Sequence, residues 1–238
     1  MKTNKSPCRL YLLAVATSLI FSHTFVLGAP IVVYDQPSVF DSLGVGGLTA
    51  AASTNGFSPT DAFDNFSLPD AAEISRVEWQ GFYAPDNANK VQDVAIRFFE
   101  DDSGMPGSLL FENIVVGGAG ENLVGVKFFT PDPPTPNAPP GDVSVYDYGV
   151  DLGTSFLTQA GETYWLQIQP TVDFPPFWAW HFGSGGDLLT VQDFEGVRTL
   201  NPGTSDLAFK LVSVPLPAAL PMFILSLVSL IRIERKNA

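Results

Sequence analysis

Between residues 30 and 213 the sequence reads as an antiparallel β-sandwich. Helical periodicity is scarce there. Short runs rich in Val, Ile, Phe, Tyr and Trp recur instead, and clusters of Gly, Pro, Asn and Asp separate them. Several short strands bounded by turn residues suit two packed sheets. A segment of about 185 residues can bury a real core without cross-links. The 238-residue chain holds 25 Asp and Glu against 12 Lys and Arg, a net charge of −13. It lacks the clustered cations that neutralise phosphates, which excludes nucleic acid as a partner. At 45% hydrophobic it is also too apolar for a disordered acidic chain.

The first element is a leader over residues 1–28. Lys2, Lys5 and Arg9 precede the apolar run from Leu10 to Phe21, and small residues follow near Gly28. A basic start, an apolar middle and a small-residue end form a secretory signal helix, a substrate of signal peptidase. Cleavage after Gly28, with Val26 three residues back, is preferred to cleavage after Ala29, which would leave Pro30 at the new terminus. Cys8 is the one cysteine and leaves with the leader, so the mature domain is expected to have neither disulfide nor thiolate metal cluster.

Nine strands are expected in the domain over 30–213: residues 31–34, 74–83, 93–100, 109–116, 123–129, 143–150, 163–169, 178–182 and 207–212. Ile74, Val77 and Trp79 mix with Arg76 and Glu78 as in a half-buried strand, and Val94, Ile96 and Phe98 alternate with Asp93, Ala95 and Arg97. The run 101–107 connects two strands. The run 131–141 holds six prolines and reads as a stiff surface excursion within a single domain. Gly183–Asp187 is a turn.

Chemistry-bearing motifs are few. His181 is the only histidine outside the leader, which excludes a zinc site built on several His or Cys ligands. Ser184 beside it lacks the glycine that a nucleophile elbow needs, because Phe182 stands there. No phosphate-binding glycine loop occurs. No catalytic residue and no cofactor are therefore assigned. Paired carboxylates for glycoside hydrolysis remain an alternative, but 24 domain acids offer no means of choosing the pair. Asp101 and Asp102, ahead of Ser103-Gly104, are the weak candidates for a metal. Clustered carboxylates suit Ca²⁺, although an Asx turn explains the same composition. Trp178, Trp180 and Phe182 share one face by two-residue alternation. If exposed they form a stacking platform for sugars; otherwise they belong to the core, where large aromatics usually lie.

The last element is the tail over 214–238. Val214, Pro215, Leu216, Pro217 and Ala218 precede an apolar run to Ile231, and Arg232, Arg235 and Lys236 close it. The run lies at the lower limit for a transmembrane helix. The basic residues act as a membrane stop and stay cytoplasmic. The prolines keep the approach extended for a processing enzyme. Apart from the two ends, residues 30–213 hold six basic against twenty-four acidic residues, a net −18.

This three-part tail resembles the PEP-CTERM sorting signal in its Val-Pro-Leu-Pro-Ala variant. In Gram-negative bacteria such signals are read by exosortases, membrane-embedded transpeptidase-like enzymes associated with exopolysaccharide production. The resemblance implies an exported protein that is transiently anchored in the membrane, processed by an exosortase, and delivered to the cell surface or extracellular matrix. The stretches 95–109, 157–166 and 205–210 are similar to a jelly-roll-like β-sandwich that recurs in bacterial secreted proteins ahead of such tails. The expected function is a non-enzymatic β-sandwich of the cell envelope or exopolysaccharide matrix. The alternatives are a carbohydrate-binding module using the aromatic patch, with polysaccharide as partner, and a glycoside hydrolase.

Overall fold

Alternation of apolar and polar residues at a period of two, repeated along most of residues 30–213, folds the chain into strands and little else. The computed structural model describes residues 29–39, 46–53, 59–85, 91–129, 140–203 and 205–213. The leader 1–28 and the tail, including Val214–Ala218, Arg232, Arg235 and Lys236, lie outside the described residues, as do the helices expected there.

Fifteen strands run through the described residues. In chain order they are β1 (Ile31–Gln36), β2 (Gly47–Thr49), β3 (Ala52–Ser53), β4 (Thr60–Ser67), β5 (Glu73–Ala84), β6 (Asp93–Asp101), β7 (Pro106–Val116) and β8 (Asn122–Phe129). They continue with β9 (Gly141–Leu157), β10 (Thr163–Val172), β11 (Phe177–Gly183), β12 (Leu189–Phe194), β13 (Val197–Pro202), β14 (Asp206–Leu207) and β15 (Phe209–Ser213). They form two sheets, antiparallel except where β3 lies parallel to β10.

The eight-stranded sheet is organised by β5. One of its edges carries β9, with β8 beyond it. The other edge is divided: β15 covers Ile74–Trp79 and β11 covers Gly81–Ala84. β1 then closes on β15, and β2 and β14 on β11. The seven-stranded sheet runs β13-β12-β4-β10-β6-β7.

The core lies between the two inner faces. Val77, Trp79, Tyr148, Val150, Trp178, Trp180, Phe209 and Leu211 come from the larger sheet, and Phe66, Val94, Ile96, Phe98, Leu166 and Ile168 from the smaller; all are buried in one cluster. Aromatic pairs dominate it. Phe98 stacks on Phe156 with ring centroids 4.3 Å apart and planes 5° from parallel, and Trp79 stacks on Tyr148 at 5.4 Å. Such pairs add about 0.5–1.5 kcal/mol beyond area burial. Gly81 sits on the inner face of β5 because a Cβ there would fall 2.2 Å from the Trp178 ring. Two smaller apolar clusters back the outer faces, one around Phe82, Val143 and Val145, the other around Phe63, Phe99, Trp165 and Val191. The unit Pro30–Val214 thus carries its whole core within itself.

The nine expected strands coincide with β1, β5 to β11, and the pair β14 and β15. The strands β2, β3, β4, β12 and β13 were not expected, and β4 lies at the centre of the smaller sheet between β10 and β12.

Candidate functional site

The residues singled out from the sequence fall mostly inside the fold. Trp178 and Trp180 are both 0% exposed, and Phe182 is half-buried against the same core. Trp178 Nε1 donates to Tyr148 Oη at 3.1 Å and Trp180 Nε1 to the Ala208 carbonyl at 2.9 Å. Their shared face is the inner face of the larger sheet, so the exposed stacking platform required for sugar binding is replaced by core packing. The reason is that the smaller sheet covers this face, with Trp178 and Trp180 in one buried cluster with its Phe66, Ile96 and Leu166. His181 is also fully buried; its Nδ1 lies 2.7 Å from the Phe182 carbonyl, and burial lowers its pKa.

Asp101 and Asp102 stand at the β6–β7 turn. Asp101 Oδ1 accepts from Trp165 Nε1 at 2.8 Å and its Oδ2 from the Gly104 amide at 3.2 Å. Asp102 Oδ1 accepts from Ser103 Oγ at 3.4 Å, and its backbone pairs with Met105 in both directions. Asp101 thus holds the turn and anchors an indole. Among the described residues, no three His, Cys, Asp or Glu side chains are grouped to hold a metal.

The surface feature with the clearest construction is a groove of about 480 Å³ on the larger sheet, crossing from Gly120 and Asn122 past β9 and β5 to β15 and Pro37. Register places its polar side chains in rows: Gln80 opposite Asp147 and Asp147 opposite Asn122, and Lys210 opposite Glu78. Successive side chains on a strand alternate between faces. Arg76, Glu78 and Gln80 therefore point away from the core that Val77 and Trp79 enter.

These groups are held to one another. Arg76 donates through Nε to Glu78 Oε1 at 2.8 Å and through Nη1 to Asp151 Oδ1 at 2.9 Å. Its guanidinium lies across β9 at Gly149, where a Cβ would come within 2.3 Å of Nη2. The Glu78 hydrogen bond, and then that of Asp151, raises the Arg76 pKa. Gln80 Nε2 donates to Asp147 Oδ1 at 2.7 Å. Gln80 Oε1 is shielded from solvent and has no hydrogen-bond partner among the described residues. A shielded acceptor left unpaired costs free energy. The sequence shows the row Arg76, Glu78, Gln80 as polar alternation, but nothing local connects it with Asp147 or Lys210.

A second polar cluster is buried. Asp64 on β4 is 0% exposed; the Leu207 amide donates to its Oδ2. The Gln36 amide, oriented with its nitrogen toward the carboxylate, adds a donor to Oδ2 at 3.2 Å and accepts from Tyr34 Oη at 3.2 Å. Burial pushes the Asp64 pKa well above the usual range, and the charges of Asp206 and Asp187 add to that while the Leu207 hydrogen bond opposes it. Asp206, also fully buried, accepts from the amides of Gly186 and Leu188 at 2.8 and 2.7 Å and so clamps the turn before β12. A concavity of about 250 Å³ beside this turn is lined by Tyr34, Asn65 and Asp187, and neither Asp64 nor Asp206 lines it. The two buried carboxylates act on backbone amides rather than facing a cleft.

A family described as Domain of unknown function (DUF7901) matches residues 34–192 of the chain. No curated protein matches the chain.

Proposed function

Because the chain belongs to this family of unknown function, we propose its role from its own residues: an exported, non-enzymatic, jelly-roll-like β-sandwich of the cell envelope or exopolysaccharide matrix that holds glycan in the groove of its larger sheet. The observation that carries the reading is the set of polar side chains along the groove that hold one another in place, Arg76 on Glu78 and Asp151 and Gln80 on Asp147. A sugar hydroxyl donates to the carboxylates of such a lining and accepts from its amide and guanidinium donors. Glu78 and Asp147 also line the groove, each held by a neighbouring donor, Arg76 or Gln80. That arrangement suits positioning of hydroxyls rather than turnover.

Export and sorting rest on the two chain ends. The leader 1–28 supports secretion by way of signal peptidase. The resemblance of 214–238 to a PEP-CTERM signal supports membrane retention through the apolar run, exosortase processing near Val214–Ala218, and delivery to the cell surface with Arg232, Arg235 and Lys236 left on the cytoplasmic side.

Titration of the purified protein with a panel of neutral and acidic polysaccharides, followed by calorimetry, tests the binding role. Saturable binding lost in Gln80→Leu is expected. Absence of binding across the panel overturns it.

A further inference from the structure

The open edge of the larger sheet is β8. It pairs with β9 along one side, and among the described residues no strand pairs with the other. An unpaired edge presents a row of backbone donors and acceptors, and natural proteins usually blunt it with charge, proline or a short strand. Here the strand is eight residues long and contains no proline, and its blunting is confined to Lys127 and a bulge between Leu123 and Gly125. Leu123, Val126 and Phe128 are 61%, 57% and 52% exposed.

Charge singles this strand out. The segment 30–213 carries a net −18, so two copies approaching at random oppose carboxylate to carboxylate. β8 contains no acid, and its one charged residue is Lys127. The other exposed edges differ. β1 carries Asp35, and β7 carries Glu112 in an ion pair with Arg97. β13 is shorter and ends in Pro202, and its Arg198 is turned onto the Phe63 ring and Asp193.

We propose that β8 is a self-association edge, on which the β8 strand of a second copy of this chain pairs antiparallel about a twofold axis. The two eight-stranded sheets then continue into one another, burying Leu123, Val126 and Phe128 of both copies. A twofold pairing is the commonest closed symmetry of identical chains, and it presents the same acid-free strand from each side. The proposal stands apart from glycan binding, since no groove contact is required for it.

The test is sedimentation velocity on residues 30–214, the unit that holds its own core. At about 100 μM a dimer is expected, and it should strengthen between about 0.05 and about 0.5 M NaCl as repulsion between the acidic copies is screened. Val126→Lys and Phe128→Lys, both at exposed positions, should each give a monomer, with a thermal midpoint equal to the wild type's at about 1 μM, where dimerisation no longer adds to stability. In the full chain with Cys8→Ser, Val126→Cys should form an intermolecular disulfide that the same cysteine at the exposed β13 position Val197 does not. A monomer at every concentration overturns the proposal, including the case in which residues 130–139 of the same chain occupy the edge. A dimer indifferent to both lysines also overturns it.

Discussion

Asp64 on β4 and Thr190 on β12 stand opposite each other in strand register, both fully buried, and each ends in an oxygen without a hydrogen-bond partner among the described residues, Asp64 Oδ1 and Thr190 Oγ1. Directly opposed side chains lie close enough to interact. The surroundings of Asp64 offer Asp206, Asp187 and the Tyr34 hydroxyl, and the first two raise its pKa further after burial. The carboxyl is therefore held in its neutral form well above the ordinary range for an aspartate.

A stability consequence follows from that raised pKa. An acid whose pKa is higher in the folded state binds its proton more tightly there. Its contribution is complete below the unfolded value of about 3.9 and is lost as pH rises through the folded value. Asp64→Asn removes the ionisation, keeps an oxygen for the Leu207 amide and supplies a donor toward Thr190. The variant should match the wild type near pH 4 and exceed it at pH 8 by about 1–3 kcal/mol, the cost of an unpaired buried polar group. Urea unfolding across that pH range measures the difference. A wild-type–variant gap that does not widen with pH refutes a raised Asp64 pKa.

Core packing makes a second prediction at Gly81. A methyl group there meets the Trp178 ring, which the Tyr148 hydroxyl holds in place. Gly81→Ala should destabilise by about 1–3 kcal/mol, the usual cost of overpacking. In a Trp178→Phe background the same change should cost less, because the smaller ring leaves room. A double-mutant cycle reads this coupling, and strictly additive losses would remove the clash as the cause.

Sorting is checked by mass. The protein recovered from the cell surface or medium should begin near Ala29 and end near Val214–Pro221, with a mass lower than that of the full chain by both ends. A mature form that still carries Arg235 and Lys236 contradicts cleavage and leaves only anchoring.

The sandwich was legible where apolar alternation is clean, as at Val94, Ile96 and Phe98. It was illegible at β4, whose sequence Thr-Asp-Ala-Phe-Asp-Asn-Phe-Ser reads as turn residues around two aromatics. Tertiary context overrides that composition, because Asp64 is accepted into the core by the Leu207 amide from the opposite sheet, 143 residues away. The β12–β13 hairpin did leave a local sign in Gly196, which with Glu195 takes the two left-handed positions of a tight hairpin turn, at φ of 82° and 55°. Alternation puts Trp178 and Trp180 on one face, but it does not say which side of a sheet is covered. The groove has no local signature, since it joins Arg76 and Gln80 to Asp147 and Lys210 only through strand order.

That groove gives the most discriminating prediction for binding. Gln80→Leu removes an amide that lines the groove, with its donor to Asp147, while keeping the side chain's bulk. Loss of one good hydrogen bond to a glycan hydroxyl, about 1.4 kcal/mol, is about tenfold in affinity. Gly149→Ala acts on the same surface by another route: its methyl displaces the Arg76 guanidinium and breaks the reach to Asp151. Arg76 and Asp151 are partly to largely exposed, so their ion pair contributes little to folding. Stability should therefore change by less than about 1 kcal/mol while glycan affinity falls. Calorimetry with any polysaccharide that binds the wild type separates the outcomes. If both variants bind as the wild type does, the glycan sits elsewhere on the sandwich. If both lose affinity with unchanged unfolding midpoints, the groove is the site, and the fixed position of Arg76 over Gly149 is part of how it is built.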